Sequence, residues 1–394
     1  MPIYLDHAAT TPLRPEALEA MLPFLRGEFG NPSSAHWYGR RARAALDEAR
    51  ERMARGLNAD PREVVLTSGG TESMNLALKG AAWAGRARGH RIVTSAIEHH
   101  AVQHSLRHLE KFGFEVVEVP VDRYGRVDPE QVNRAITDKT ILVSIMLANN
   151  EVGTIQPIRE IAALVRGHRQ VLFHVDAVQA APYLVIDVRD LGVDLLSIAA
   201  HKFEGPRGSG ALWIRSGTNI LPQQHGGSQE RHRRAGTENV AGAAGMAIAF
   251  ELSRAELPVV SERLRTLRER LQAAVLGVDG IELTGHPVDR LPGLFSVIAR
   301  NVDGSAAAVA LDLEGLACSV GSACATGSAE VSHVLTAMGY PEDEARGALR
   351  LSLGRTTTEA EIARAIECVP STLDSLRHRS AGLAAEPLGY RVGA

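Results

Sequence analysis

Val193-Asp194-Leu195-Leu196-Ser197-Ile198-Ala199-Ala200-His201-Lys202-Phe203-Glu204-Gly205-Pro206 reads as a buried strand that runs into an open loop. The run is apolar but for Asp194 and Ser197, it stops at a His-Lys pair, and Gly and Pro follow at once. Desolvation at the end of such a strand lowers a lysine pKa toward neutrality and makes the amine a nucleophile. A lone strand-end lysine more often just reaches water. The residues upstream decide between the two.

Residues 171–179, Val-Leu-Phe-His-Val-Asp-Ala-Val-Gln, form a second apolar run that ends at a carboxylate, Asp176. Asp176 and Lys202 are 202 − 176 = 26 residues apart, room for one crossover between neighbouring strands. In an open α/β sheet, such strand ends line one crevice. A strand-end Asp with a strand-end Lys suits a pyridoxal phosphate enzyme. The lysine forms the Schiff base, and the carboxylate keeps the pyridine nitrogen protonated so that the ring acts as an electron sink.

Outward from this pair the pattern alternates. Strands are expected at 64–67, 91–94, 115–119, 141–147, 171–175, 193–198 and 210–214. Helices are expected at 71–86, 99–111, 130–136 and 158–165. Strand alternating with helix predicts a mostly parallel sheet with helices on both faces, an α/β fold. Residues 2–12 read as an extended arm, 15–25 as a short helix, and a long helix ends near Leu57. After Thr237 come helices at 237–252 and 258–276, then strands at 281–283, 294–299 and 349–353 among helices at 306–313, 331–338 and 359–373. This predicts a large α/β domain over 13–255. A smaller α+β domain is expected from 256–394, with the arm 1–12 packed on it.

Composition narrows the class. The 394 residues are 45% hydrophobic and 23% charged, ordinary for a water-soluble globular chain. A net charge of −3 gives no pull toward nucleic acid or anionic membrane. No apolar run approaches a membrane span, and Met1-Pro2-Ile3-Tyr4-Leu5-Asp6 has no signal-peptide pattern. Three cysteines are too few for a disulfide scaffold, so a reducing cytoplasm is expected.

Other motifs supply candidate chemistry. Ser68-Gly69-Gly70-Thr71-Glu72-Ser73 is a glycine turn feeding a helix start, equally an anion site or an ordinary capping box. Arg234-Ala235-Gly236-Thr237-Glu238-Asn239 repeats the theme. His100, His104 and His108 share a helix face, read as solvated because no carboxylate or cysteine completes a ligand set. His99 differs, since it sits at a strand-to-helix turn. Cys324, among small residues and glycines, reads as accessible, and Cys318 and Cys368 as packing. Arg350-Leu351-Ser352-Leu353-Gly354-Arg355 is a strand with an arginine at each end, and an inward-facing one can clamp a carboxylate.

Together these residues resemble the cysteine desulfurases, in the fold-type I group of pyridoxal phosphate enzymes. The matching motifs span nearly the whole chain. They are the segments 4–12, 30–34, 67–73, 98–99, 149–153, 174–179, 201–202, 234–237 and 321–324. The segment around Cys324 is similar to the longer version of the class that feeds iron–sulfur assembly.

The resemblance implies roles. Lys202 carries the cofactor and moves protons at the substrate Cα, and His99 stacks on the ring and assists. Asp176 pairs with the ring nitrogen, and Gln179 bonds the phenolic oxygen. Gly70, Thr71 and His201 hold the phosphate, joined by Thr237 from the neighbouring subunit of a homodimer. Asn150 and Arg355 hold the substrate carboxylate, with Asn31 nearby. Cys324 takes the sulfur from L-cysteine as a persulfide, alanine departs, and an acceptor such as an iron–sulfur scaffold receives the sulfur. No metal is implied.

One departure matters: the family usually has a serine, whose hydroxyl binds the cofactor phosphate, where this chain has Ala199. The rival readings are selenocysteine lyase activity, a class V aminotransferase, and a non-catalytic metal or sulfur carrier built on the histidines.

Overall fold

The computed structural model describes residues 2–321 and 331–385. Its first strands are β1 Ile3–Tyr4, β2 Val64–Thr67, β3 Arg91–Ser95, β4 Glu115–Val119, β5 Thr140–Met146 and β6 Leu172–Asp176. They are followed by β7 Leu195–Ala199, β8 Gly210–Ile214, β9 Ile281–Thr284, β10 Leu294–Ala299, β11 Leu316–Ala317 and β12 Ala348–Ser352. Strands β2 to β8 make one sheet in the order β2-β8-β7-β6-β5-β3-β4. Only β8 runs against the rest, antiparallel to β2 and to β7. The other pairings are parallel, as the alternating pattern predicts.

Successive side chains point to opposite faces of this sheet, and both faces are covered. Val143, Ile145, Phe173, Val175, Leu196 and Ile198 pack into one apolar core. Leu142, Leu195, Ala199, Leu212 and Ile214 pack into another, against the helix Gly70–Gly85. Burial on both sides is why these strands read as continuous apolar runs rather than as alternating ones.

A second, antiparallel sheet has the order β12-β10-β9. The N-terminal arm joins this part of the chain. Strand β1 pairs in parallel with β11, and Leu5 is buried in the core shared with Phe295, Leu349 and Leu351. The peptide N–H of Ser352 donates to the Leu5 carbonyl at 2.8 Å. The arm also passes the carboxyl ends of the large sheet, where Thr11 N–H donates to His201 O at 3.0 Å.

The two helices expected around Pro258 are one, Val240–Leu276, and residue 255 lies inside it. Proline inside a helix costs about 3 kcal/mol, because it removes a hydrogen bond and crowds the preceding turn. Packing on both sides offsets that cost here. The first half lies against the helix Pro15–Arg26 so closely that a Cβ on Gly245 would come within 2.7 Å of Met21. The second half places Leu264, Leu267, Leu271 and Val275 in the core of the smaller sheet.

Candidate active site

The strands of the large sheet, β8 apart, point their carboxyl ends the same way, and a cavity of about 350 Å³ opens there. Five of the strand ends contribute. After β2 come Gly70 and Thr71, and after β3 His99 and His100. From β5 and its turn come Met146, Asn150 and Glu151. Strands β6 and β7 supply Asp176, Gln179, Ala199, His201 and Lys202. The arm adds Ala8 and Ala9, and the smaller sheet adds Arg350.

Lys202 sits in the first turn after β7, in a short 3-10 helix, Ala200–Lys202. Its Nζ donates to the carbonyls of Ala8 at 2.5 Å and Ala9 at 2.9 Å, so the arm holds the amine at the cavity wall. Asp176 is buried and accepts one N–H, from Val178, at 2.9 Å. Burial pushes its carboxyl up to about 6, against the Val178 bond and the Lys202 charge, which pull it down. Gln179 is fixed by donation from Nε2 to the Ala8 carbonyl at 2.8 Å.

His99 caps the helix His100–Glu110, its Nδ1 accepting the Ala101 N–H at 3.0 Å. Burial, helped by the Lys202 charge, holds the ring down at about 4, so it is neutral at pH 7. With Nδ1 accepting, the ring proton is on Nε2. His201 is likewise held down at about 4 by burial, then by Lys202 and Arg207. The helix Gly70–Gly85 starts at the wall, and its first N–H groups have no partner inside the helix.

Three sequence expectations fall elsewhere. Arg355 does not line this cavity: its Nε donates to Glu204 Oε2 at 2.6 Å, in a separate cleft with Arg14 and Glu256. Arg350 lines the cavity instead. It is 1% exposed, and its guanidinium donates to the Asn150 carbonyl and to Asp6 Oδ1, each at 2.8 Å. Strand β12 pairs with β10 through Arg350 and Ser296, which turns Arg350 inward, whereas Arg355 lies beyond the strand. Asn31 is exposed, and its Oδ1 accepts the Ser33 N–H at 2.9 Å. Thr237 is exposed and lines another cleft, with Ser68 and Arg234.

Cys324 lies outside the described residues. Cys368 is buried in the core of the smaller sheet, and burial pushes the Cys318 thiol up to about 12. His100 stacks on His104 with ring centroids 5.3 Å apart, and His108 packs on Phe112. No group of three or more metal-ligating side chains is assembled among the described residues. Sequence reasoning missed His333 and Glu151, both on the cavity wall. His333 had no local signal. Glu151 had one, as a carboxylate beside two asparagines at a strand end.

The family model for aminotransferase class-V matches residues 3–365. The chain is 49% identical to cysteine desulfurase IscS of Methanosarcina thermophila over 96% of this chain and 93% of the relative. Among solved structures, a NifS-like protein superposes with a TM-score of 0.90 at 38% identity, covering 95% of this chain and 100% of that one. SspA in complex with cysteine superposes with a TM-score of 0.81 at 34% identity, covering 90% and 100%.

Proposed function

The chain belongs to the aminotransferase class-V family and, within it, to the cysteine desulfurases; we propose from this that it binds pyridoxal phosphate at the strand ends, moves the sulfur of L-cysteine onto Cys324 and releases L-alanine. The observation that carries the reading is the convergence of Lys202, Asp176 and His99 on one cavity that also holds Arg350 and Asn150.

The donor set suits the cofactor. Its phosphate is matched by the open N–H groups of the helix Gly70–Gly85, by Thr71 and by His201. Asp176, buried with a single N–H bond, is matched by a protonated ring nitrogen, whose charge would reverse the upward push of burial. Gln179 is near enough to the cavity to bond the phenolic oxygen, the Lys202 amine suits the aldehyde, and the His99 ring is available to stack. When bound, pyridoxal phosphate supplies an electron sink for the bonds at the substrate Cα.

The chain's own residues do the rest. Arg350, with Asn150, holds the substrate carboxylate, the role first expected of Arg355. Lys202 takes the proton from Cα. His99, neutral with its proton on Nε2, assists proton transfer at the same centre. The Cys324 thiolate attacks the substrate sulfur. A sulfur–sulfur bond forms and the carbon–sulfur bond breaks, its electron pair staying with the carbon fragment. That fragment regains its protons and leaves as alanine. The sulfur is oxidised as the carbon is reduced, so no outside oxidant is needed.

The persulfide is then handed to an acceptor protein, such as an iron–sulfur scaffold. Thr237, exposed outside this cavity, is assigned to the cavity of a second copy in a homodimer. No helix among the described residues is long and apolar enough to cross a membrane, and a free nucleophilic thiol suits a reducing cytoplasm. The test is direct. Protein loaded with pyridoxal phosphate is given L-cysteine, alanine and sulfide are measured, and the persulfide is located by mass spectrometry. Absence of cysteine-dependent alanine would sink the proposal.

A further inference from the structure

Glu151 is a buried carboxylate on the cavity wall that the reaction outlined above does not use. It is only 3% exposed. Its backbone is fixed by the turn after β5, where Asn149 Oδ1 accepts the N–H groups of Glu151 at 2.8 Å and Val152 at 3.0 Å. Its side chain reaches two places far along the chain. Ser332 Oγ donates to Glu151 Oε2 at 2.5 Å, across 181 residues. The same Oε2 is packed so closely on Gly321 that a Cβ there would stand 2.9 Å from it.

Gly321 and Ser332 bracket the stretch that contains Cys324. One carboxyl oxygen at the wall of the cavity therefore meets both, by a hydrogen bond at Ser332 and by close packing at Gly321. Arg350 faces the same carboxyl electrostatically, and its Nη1 bonds the carbonyl of Asn150, the residue before Glu151. The carboxylate-binding arginine and this anchor thus share one piece of backbone. Ser332 Oγ is itself placed by the Leu335 N–H, which donates to it at 3.2 Å.

We infer that Glu151 is a positioning residue for sulfur transfer: beside the substrate cavity its carboxyl holds Ser332 by a hydrogen bond and packs on Gly321, the two residues that flank the stretch carrying Cys324. The inference rests on the reading that Cys324 accepts the sulfur. It separates two stages of the reaction. Binding of L-cysteine and proton removal at Cα need Arg350, Lys202 and His99. Attack on the substrate sulfur also needs the thiol in place, and misplacement by about 1 Å can cost about 100-fold in rate.

The experiment uses the full-length protein loaded with pyridoxal phosphate, in single turnover with L-cysteine. Two signals are followed: the change in cofactor absorbance on substrate binding, and the mass of the Cys324 peptide. Glu151→Ala should keep the absorbance change and slow persulfide formation about 10- to 100-fold. Ser332→Ala should do the same, and the double variant should be no slower than either alone, since both remove one contact. Glu151→Gln keeps an acceptor for the Ser332 hydroxyl and should recover most of the rate, whereas a role in proton transfer would leave it as slow as the alanine variant. Gly321→Ala should slow transfer by crowding the carboxyl, and adding Glu151→Ala to it should leave the rate at that of Glu151→Ala alone. General destabilisation would instead add the two losses.

Persulfide formation at the wild-type rate in Glu151→Ala, with the wild-type persulfide mapped to Cys324, overturns this inference alone. A wild-type persulfide mapped elsewhere overturns the underlying reading as well. Glu151→Gln as slow as Glu151→Ala, or additive losses in the double variant, also overturns it.

Discussion

Replacing Arg350 should raise the KM for L-cysteine, and replacing Arg355 should not. The Arg350 guanidinium is aimed by two bonds, to Asp6 and to the Asn150 carbonyl, and its Nε is buried without a hydrogen-bond partner among the described residues. A substrate carboxylate would meet a charged donor in a buried site. Hydrogen bonds to charged groups are worth about 1.5–3 kcal/mol each. At about 1.4 kcal/mol per decade, loss of one such bond raises KM about 10- to 150-fold, and loss of two raises it further. Arg350→Lys keeps the charge and the Asp6 partner but not the planar fork, so it should fall between wild type and Arg350→Ala.

Arg355→Ala instead breaks an ion pair with Glu204, in which the arginine side chain is 33% exposed and the glutamate 9%. We expect it to lower stability by about 1–2 kcal/mol, more than a surface pair and less than a fully buried one. Its KM for L-cysteine should stay within about twofold of wild type. The assay is initial-rate alanine release across cysteine concentrations, with thermal unfolding of each variant as the control. A large rise in KM for Arg355→Ala with none for Arg350→Ala would refute the assignment and restore Arg355 to the carboxylate.

Cys324→Ser should bind L-cysteine, shown by a change in cofactor absorbance, and release no alanine, since a hydroxyl of far higher pKa is a poor nucleophile toward sulfur. Cys318→Ser and Cys368→Ser should form persulfide as wild type does, and a persulfide on either cysteine would contradict this. Ala199→Ser adds a hydroxyl on the cavity wall close to Gly70 and should slow cofactor dissociation about 2- to 12-fold, the equivalent of about 0.5–1.5 kcal/mol. An unchanged rate would mean that another group already fills that place. Acid should destabilise the cofactor-free protein. Burial lowers His7, His99 and His201 from 6.5 to about 4 and His174 to about 3, so these four bind protons in the unfolded chain before the folded one. Glu98, raised to about 8, and Asp176, raised to about 6, act in the opposite sense. His100 and His333 are lowered as well and Glu151 and Asp194 raised, so six histidines stand against four carboxyls and the unfolded state binds more protons below pH 6.5. The midpoint of thermal unfolding should therefore drop steeply between pH 6.5 and 5, and a flat profile would count against the burial of these histidines.

Much of this was legible in the residues themselves, for a physical reason. A strand buried on both faces must be apolar along its length, so the places where such runs stop are visible, and Asp176 and Lys202 stand at two of them. Parallel strands with helical crossovers put those stops on one edge, so the pairing of a carboxylate with an amine followed from local pattern alone. The choice between Arg350 and Arg355 could not follow in this way. Which arginine faces the cavity depends on the register of β12 against β10 and on Asp6, 344 residues away. The grip of Glu151 on Ser332 spans 181 residues and likewise has no local trace. The helix through Pro258 runs against local propensity, because two cores pack on its two halves. Sequence pattern determined which chemistry the strand ends carry. Long-range packing decided which of the remaining charged groups were turned inward to meet it, because burial and direction of a side chain are properties of its neighbours in space.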